Sequence, residues 1–304
     1  MGPAILQNMQ KKKGFTLIEL SIVLVIIGIM LYSGIAIGAI QIEAAKLKQT
    51  KDKLNKIEKA MQLYFEANNS LPCPAGGNRA FNAGDFAMGE KANASSALSN
   101  TTCPNVDTTT NDAAGGANIY IGVVPTRDLD LPDDFMMDGW GNRITYAVSK
   151  HCVDPDNWSD ADLSATNKCT TGADDTNDGT DANGAGDLSY EPGGNIIVCN
   201  NSAEVCAGTA IRSKYAAYVI LSHGKNGVGG WTDEGSRITT ASDSSPFDLD
   251  NANRVNADGT GGDNYNDKFR DAMVADYEGA SPTVYFDDVV LWKTAPQIWF
   301  EKYH

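Results

Sequence analysis

Lys11-Lys12-Lys13-Gly14-Phe15-Thr16-Leu17-Ile18-Glu19 opens onto an apolar run that continues to Ile40. Three lysines stop at a glycine, and residues 15–40 then carry a single charge, Glu19. About 20 apolar residues suffice to span a bilayer as a helix, so 15–40 reads as a transmembrane helix. The lysines ahead of it stay cytoplasmic by the positive-inside rule, which puts everything after Ile40 on the other side. No proline occurs between 15 and 68. The spacing therefore allows one continuous helix of roughly 80 Å at 1.5 Å per residue.

Glu19 is the anomaly in that run. A carboxylate in hydrocarbon is costly and marks a functional position by default. The reading takes its partner to come from outside the run. A cut between Gly14 and Phe15 would create an α-amino group one helical turn away, and a neighbouring subunit staggered by a turn could offer the same amine.

Residues 14–19 and the apolar run behind them resemble the cleavage and methylation motif of type IV pilins and type II secretion pseudopilins. The resemblance implies a leader, residues 1–14, removed by a membrane-embedded prepilin peptidase, with Phe15 then methylated. It implies that Glu19 supports docking of subunits into a helical filament. A secretory signal peptide fits poorly, because its cut lies after the apolar region. Many type IV pilins carry a proline within the apolar half. Here Gly28, Gly34 and Gly38 are the only breakers. They suit either local melting, at about 1 kcal/mol per glycine relative to alanine, or close helix packing through Gly34 and Gly38.

The second half of the helix, 41–70, reads as amphipathic. Leu47, Leu54, Ile57, Met61 and Tyr64 form one stripe, while Lys46, Lys48, Lys51, Lys53, Lys56 and Lys59 decorate the remainder. The stripe is expected to pack on the domain that follows, leaving the lysines to solvent or acidic neighbours. Ser70-Leu71-Pro72-Cys73-Pro74 is read as the helix stop.

Residues 71–304 change composition, rich in Gly, Asn, Asp, Thr and Ser. Short β-type runs at 119–124, 143–148, 195–199, 215–222 and 283–292 predict an antiparallel sheet. The fold class is therefore α+β: a long N-terminal helix, transmembrane then amphipathic, laid on an antiparallel sheet domain with disulfide-stapled loops. Three pieces resemble pilin and pseudopilin globular domains. They are Asp138-Gly139-Trp140-Gly141-Asn142, Leu221-Ser222-His223-Gly224-Lys225-Asn226-Gly227, and Phe286-Asp287-Asp288-Val289-Val290-Leu291-Trp292. Gly141 and Gly227 read as turns needing positive φ, and Trp140 as a core or turn plug.

Cys73, Cys103, Cys152, Cys169, Cys199 and Cys206 all follow the apolar run, on the side expected to be oxidising. Sequential pairing, Cys73–Cys103, Cys152–Cys169 and Cys199–Cys206, is the expectation. Zinc is disfavoured, since CxxC pairs and nearby histidines are missing. Net charge is −15, and loss of the three leader lysines would make it −18. Such acidity argues against a nucleic-acid partner.

No cofactor is required by this reading. Calcium is the one candidate ligand, in the acidic loops at 174–181 and 251–267 or, by resemblance to major pseudopilins, near Asn226 and Asp288. Asn226 stands where those proteins carry aspartate. No nucleophile elbow, P-loop or dinucleotide fingerprint occurs, and adjacent Ser222 and His223 do not by themselves make a catalytic pair. The sequence predicts a structural protein rather than an enzyme, and the resemblance implies a subunit of a type IV pilus-like filament. The length after the helix suits a minor or surface-elaborated pilin. The alternatives are a type II secretion pseudopilin, or a pilus-displayed adhesin using loops with Trp158 and Tyr190. The partners implied are prepilin peptidase, other copies or other pilins, an inner-membrane assembly platform, and the bilayer before assembly. The implied location is the inner membrane, single-pass with a cytoplasmic N-terminus, then a periplasmic or extracellular filament.

Overall fold

The computed structural model describes residue 14 and residues 16–78, 103, 119–149, 152–153, 169, 196–200, 208–238, 268–271 and 286–303. For residues 31–40, 208, 268 and 302–303 it describes the backbone alone. The chain divides into two compact units, Met1–Ala45 and Lys46–His304.

In the first unit the helix α1 (Leu17–Asn68) begins with a capping box. Thr16 donates its backbone N–H and its hydroxyl to Glu19 Oε2, at 2.9 and 2.8 Å. Glu19 N–H returns a bond to Thr16 Oγ1 at 3.3 Å. This T-x-x-E reciprocity satisfies donors that a helix N-terminus otherwise leaves open. Among the described residues no helix is long and apolar enough to cross a membrane. The described side chains of the apolar run end at Met30, so the transmembrane reading of 15–40 lies partly outside them.

In the second unit the rest of α1 presents the expected stripe. Leu54, Ile57 and Met61 are buried, Leu47 and Tyr64 partly so, and Ala60 and Phe65 join them. Each large side chain sealed in this way contributes about 1.5–3 kcal/mol. The helix stops before the prolines. Asn69 takes φ 50° and its N–H reaches Phe65 O at 2.9 Å, a left-handed cap that asparagine tolerates better than most residues.

Six strands are described: β1 (Ile119–Val123), β2 (Thr145–Ser149), β3 (Ile196–Cys199), β4 (Ile211–Ser222), β5 (Lys268–Arg270) and β6 (Val289–Thr294). Their order is β1-β2-β4-β3-β5, with β6 also on β4. The pairs β1–β2, β2–β4, β3–β4 and β4–β6 are antiparallel. The expected all-antiparallel sheet is corrected at one place, since β3 and β5 run parallel. β5 is three residues long, too short to give a periodic signal. Alternation along β2 and β4 puts Tyr146, Val148, Tyr218 and Ile220 with the α1 stripe, and Ala147, Val219 and Leu221 in a second cluster with Phe269.

The strand expected at 283–292 is found in part, with a different end. Its residues 283–285 lie outside the described residues, the described strand spans Val289–Thr294, two residues beyond the expected end, and a helix α2 (Ala295–Tyr303) follows directly. It too starts with a capping box: Thr294 donates its N–H and hydroxyl to Gln297 Oε1, at 2.9 and 3.2 Å. Its residues Ala295 and Ile298 are buried, and Trp299 meets Phe65 edge-on at 6.4 Å.

Cys73 pairs with Cys103 and Cys152 with Cys169. Loops of this size contribute about 3 kcal/mol each in the chain-entropy account. Cys199 is disulfide-bonded as well, and Cys206 lies outside the described residues.

Candidate functional site

The N-terminal motif and a buried polar knot in the second unit are the two candidate sites. Gly14 is exposed, and a Cβ built on it meets nothing within 4 Å. Phe15 lies outside the described residues, so the pairing of its amine with Glu19 does too. Glu19 has a partner that the sequence reading sought elsewhere: Thr16, inside the run, supplies two donors. The signal was present as Thr-x-x-Glu. From Leu17 to Met30 the large apolar side chains are exposed, eleven of fourteen residues. A helix apolar on every side requires an apolar surround.

Residues 9–31 match the model of the prokaryotic N-terminal methylation motif. The chain carries that motif. It is typical of type IV pilins and pseudopilins, and it implies processing by prepilin peptidase and assembly into pilus-type filaments. No curated protein and no solved structure matches the chain. The motif thus supports a pilin-like or pseudopilin-like protein, anchored in a membrane before it joins a filament.

The knot brings together the three motif pieces of the globular domain. Asp138 is 4% exposed. Its Oδ1 accepts the N–H groups of Trp140 and Asn142 at 2.8 and 2.9 Å, and its Oδ2 accepts the Ser222 hydroxyl at 2.7 Å. Asn142 Nδ2 donates to Gly224 O at 3.0 Å, which ties the same turn to the loop after β4. That loop is tied in turn to the segment before β6, where Asn226 N–H donates to Asp287 Oδ2 at 2.9 Å. Burial pushes the Asp138 pKa above the usual carboxylate value, partly offset by Ser222 and the N–H groups of Asn142, Trp140 and Gly141.

Two participants escaped the sequence reading. Thr50, fully buried on the α1 stripe, donates to Lys46 O and accepts the N–H of Gly139, both at 2.9 Å. Arg143, also buried, donates to the carbonyls of Gly77 and Asp233. A lone threonine on an apolar stripe was the available signal for the first. Trp140 is half-buried and contributes its backbone N–H, whereas the deeply buried indole is Trp231, with the Arg237 guanidinium 4.5 Å above it.

The knot is built to hold rather than to react. Ser222 is directed to Asp138, while His223 Nε2 pairs with Thr145 Oγ1 at 2.7 Å, and all are sealed from solvent. Burial lowers the His223 pKa to about 3, the nearby Arg237 charge adds to this, and the Val228 backbone opposes it. A histidine held neutral has a defined stability signature. Below pH 6.5 the unfolded chain takes up a proton that the folded one refuses until about pH 3, so stability falls with pH across that window. The melting temperature of His223→Gln is expected to fall less than that of the wild type between pH 7 and pH 4. Parallel curves would remove His223 as a source of acid sensitivity.

The two residues named for calcium, Asn226 and Asp288, are engaged locally in the described structure. Asn226 Oδ1 accepts Val228 N–H at 3.0 Å, a local turn that must open before a cation could take that oxygen. Asp288 is buried, and no group of three or more His, Cys, Asp or Glu among the described residues could hold a metal ion. The acidic loops at 174–181 and 251–267, with Trp158 and Tyr190, lie outside the described residues.

Proposed function

We propose that the chain is a structural subunit of a type IV pilus-like filament. It is made as a single-pass inner-membrane precursor, cut by prepilin peptidase between Gly14 and Phe15, methylated on Phe15 and extracted into a helical assembly. The observation that carries this reading is the helix from Leu17 to Met30, apolar on all sides and exposed, whose one carboxylate is already capped by Thr16. Lipid covers it before assembly, and the same helix of other copies covers it afterwards. In the filament Glu19 exchanges the Thr16 donors for the Phe15 amine of a neighbour.

Intact mass and N-terminal mapping of the protein from its native membrane test this. A mature chain beginning at N-methylated Phe15 is expected, and a chain that keeps Met1 would sink the proposal. A bulky residue at Gly14 should leave the leader attached. Because a Cβ there meets nothing, such a failure would report on the peptidase and not on folding. Glu19→Ala should be inserted and cut normally yet assemble poorly, and normal filament yield would remove the charge-exchange step.

A pseudopilin of a type II secretion system is the second reading. It is favoured by the convergence of the Asp138–Asn142 turn, the Ser222–Gly227 loop and β6, pieces that resemble pseudopilin domains. Deleting the gene separates the two: loss of surface filaments with secretion intact supports a pilus, and the reverse supports a pseudopilus.

A further inference from the structure

Charge is divided unevenly along this chain. Residues 46–59 hold six lysines against Asp52 and Glu58, whereas residues 71–304 hold 15 Lys+Arg against 34 Asp+Glu. Two of the lysines are used inside the subunit. Lys53 donates to the carbonyls of Asp134 and Met137 and pairs with Asp134 at 3.7 Å, and Lys56 stands 5.4 Å over the Phe135 ring. Lys48, Lys51 and Lys59 are exposed and make no ion pair among the described residues. At 100° per residue Lys48 and Lys59 fall on the side of α1 opposite Leu54, Ile57 and Met61, with Asp52 beside them, while Lys51 lies on the flank, about 60° from Leu54 and next to Glu58, which is paired with Lys293.

The described surface also offers exposed acids without an ion pair. Asp130 sits at a turn with φ 53°, and Asp233 and Glu234 sit in the turn closed by Gly235 N–H to Thr232 O at 3.1 Å. We infer that the Lys48–Lys51–Lys59 face of one copy docks on the acidic turns at Asp130 and at Asp233–Glu234 of a second copy. This rests on the filament reading above and names the contact that sets the register between its globular domains. The two surfaces differ, so the contact is heterologous, the kind that propagates into an open helical assembly unless it closes into a ring. Exposed pairs add little energy individually. Their effect is to orient approach and penalise wrong registers, while the apolar helices supply cohesion. Salt that shortens the screening length to a few ångströms should therefore weaken assembly.

The test uses the full chain in its native membrane. One variant is Lys48→Glu, Lys51→Glu and Lys59→Glu together; the other is Asp130→Lys, Asp233→Lys and Glu234→Lys together. All six positions are exposed, and near-ultraviolet circular dichroism checks that each variant folds. Each alone is expected to be cut at Gly14 but to yield about tenfold fewer filaments, as like charges meet across the contact. Co-expression of the two should restore the yield, since an alternating filament pairs every lysine face with an acidic one. Normal yield from either variant alone, or no recovery on co-expression, overturns the inference and leaves the filament reading standing. The second of those outcomes would assign the lysines to another acidic partner, such as a lipid headgroup. A wild-type chain that is never cut at Gly14, or that forms no filament, overturns both.

Discussion

Asp138→Ala is expected to cost about 3–5 kcal/mol of stability, since three hydrogen-bond donors lose their acceptor together. Alanine leaves the N–H groups of Trp140 and Asn142 without their acceptor, and the Ser222 hydroxyl without its own. Each donor abandoned in this way costs about 1–3 kcal/mol. The loss should spread beyond the turn. Ser222 also accepts the Gly224 N–H, and Gly224 O holds Asn142, so the loop after β4 and the turn before β2 loosen together. Chemical denaturation of the full chain in detergent, followed by tryptophan fluorescence, measures it. A loss below about 1 kcal/mol would mean that strand pairing alone positions these loops.

Asp138→Asn separates shape from charge. The amide oxygen can keep both backbone donors, and Ser222 can turn its hydroxyl to accept from the amide nitrogen, so the loss should be smaller than for alanine. The folded state holds the Asp138 proton more tightly than the unfolded chain does. This carboxyl therefore contributes most when protonated, and its contribution falls as pH rises from 3.8 through its raised pKa. The advantage of aspartate over asparagine should be largest at the acid end of the range.

What could be read in advance divides along physical lines. The α1 stripe was legible because burial on a helix imposes a 3.6-residue period, and Leu54, Ile57 and Met61 obey it. β2 and β4 were legible as apolar runs, although β4 begins at Ile211, four residues before its apolar core. Its opening residues Arg212 and Lys214 are polar and make no hydrophobic signal. β5 and α2 were missed because three residues carry no period, and because the strand pattern of 289–294 runs into the helix without a loop. Yet Thr294-x-x-Gln297 announced the boundary, as Thr16-x-x-Glu19 did for α1. The knot was legible only as three separate pieces. That Asp138 would find Ser222, 84 residues away, depends on the register of β2 against β4, which sequence pattern does not encode.

The glycines on either side of Trp140, Gly139 and Gly141, are required for different reasons, and Gly139 carries the second large prediction. A Cβ on Gly139 would lie 2.4 Å from Lys46 O, a backbone atom of α1 that cannot swing aside. Gly139→Ala must therefore part the turn from the helix. It would also stretch the bond from Gly139 N–H to Thr50 Oγ1, leaving a fully buried threonine poorly satisfied. Overpacking costs about 1–3 kcal/mol, and the weakened hydrogen bond about 1 kcal/mol more. Gly141 has open space around its Cβ position but sits at φ 91°. Gly141→Ala should cost about 1–2 kcal/mol, from backbone strain alone. Hydrogen exchange distinguishes the two mechanisms. Gly139→Ala should raise amide exchange in α1 around Thr50 as well as in the turn, whereas Gly141→Ala should loosen the turn only. Protection around Thr50 unchanged in Gly139→Ala would show that the helix and the Asp138 turn are held together by the stripe and not by this close approach.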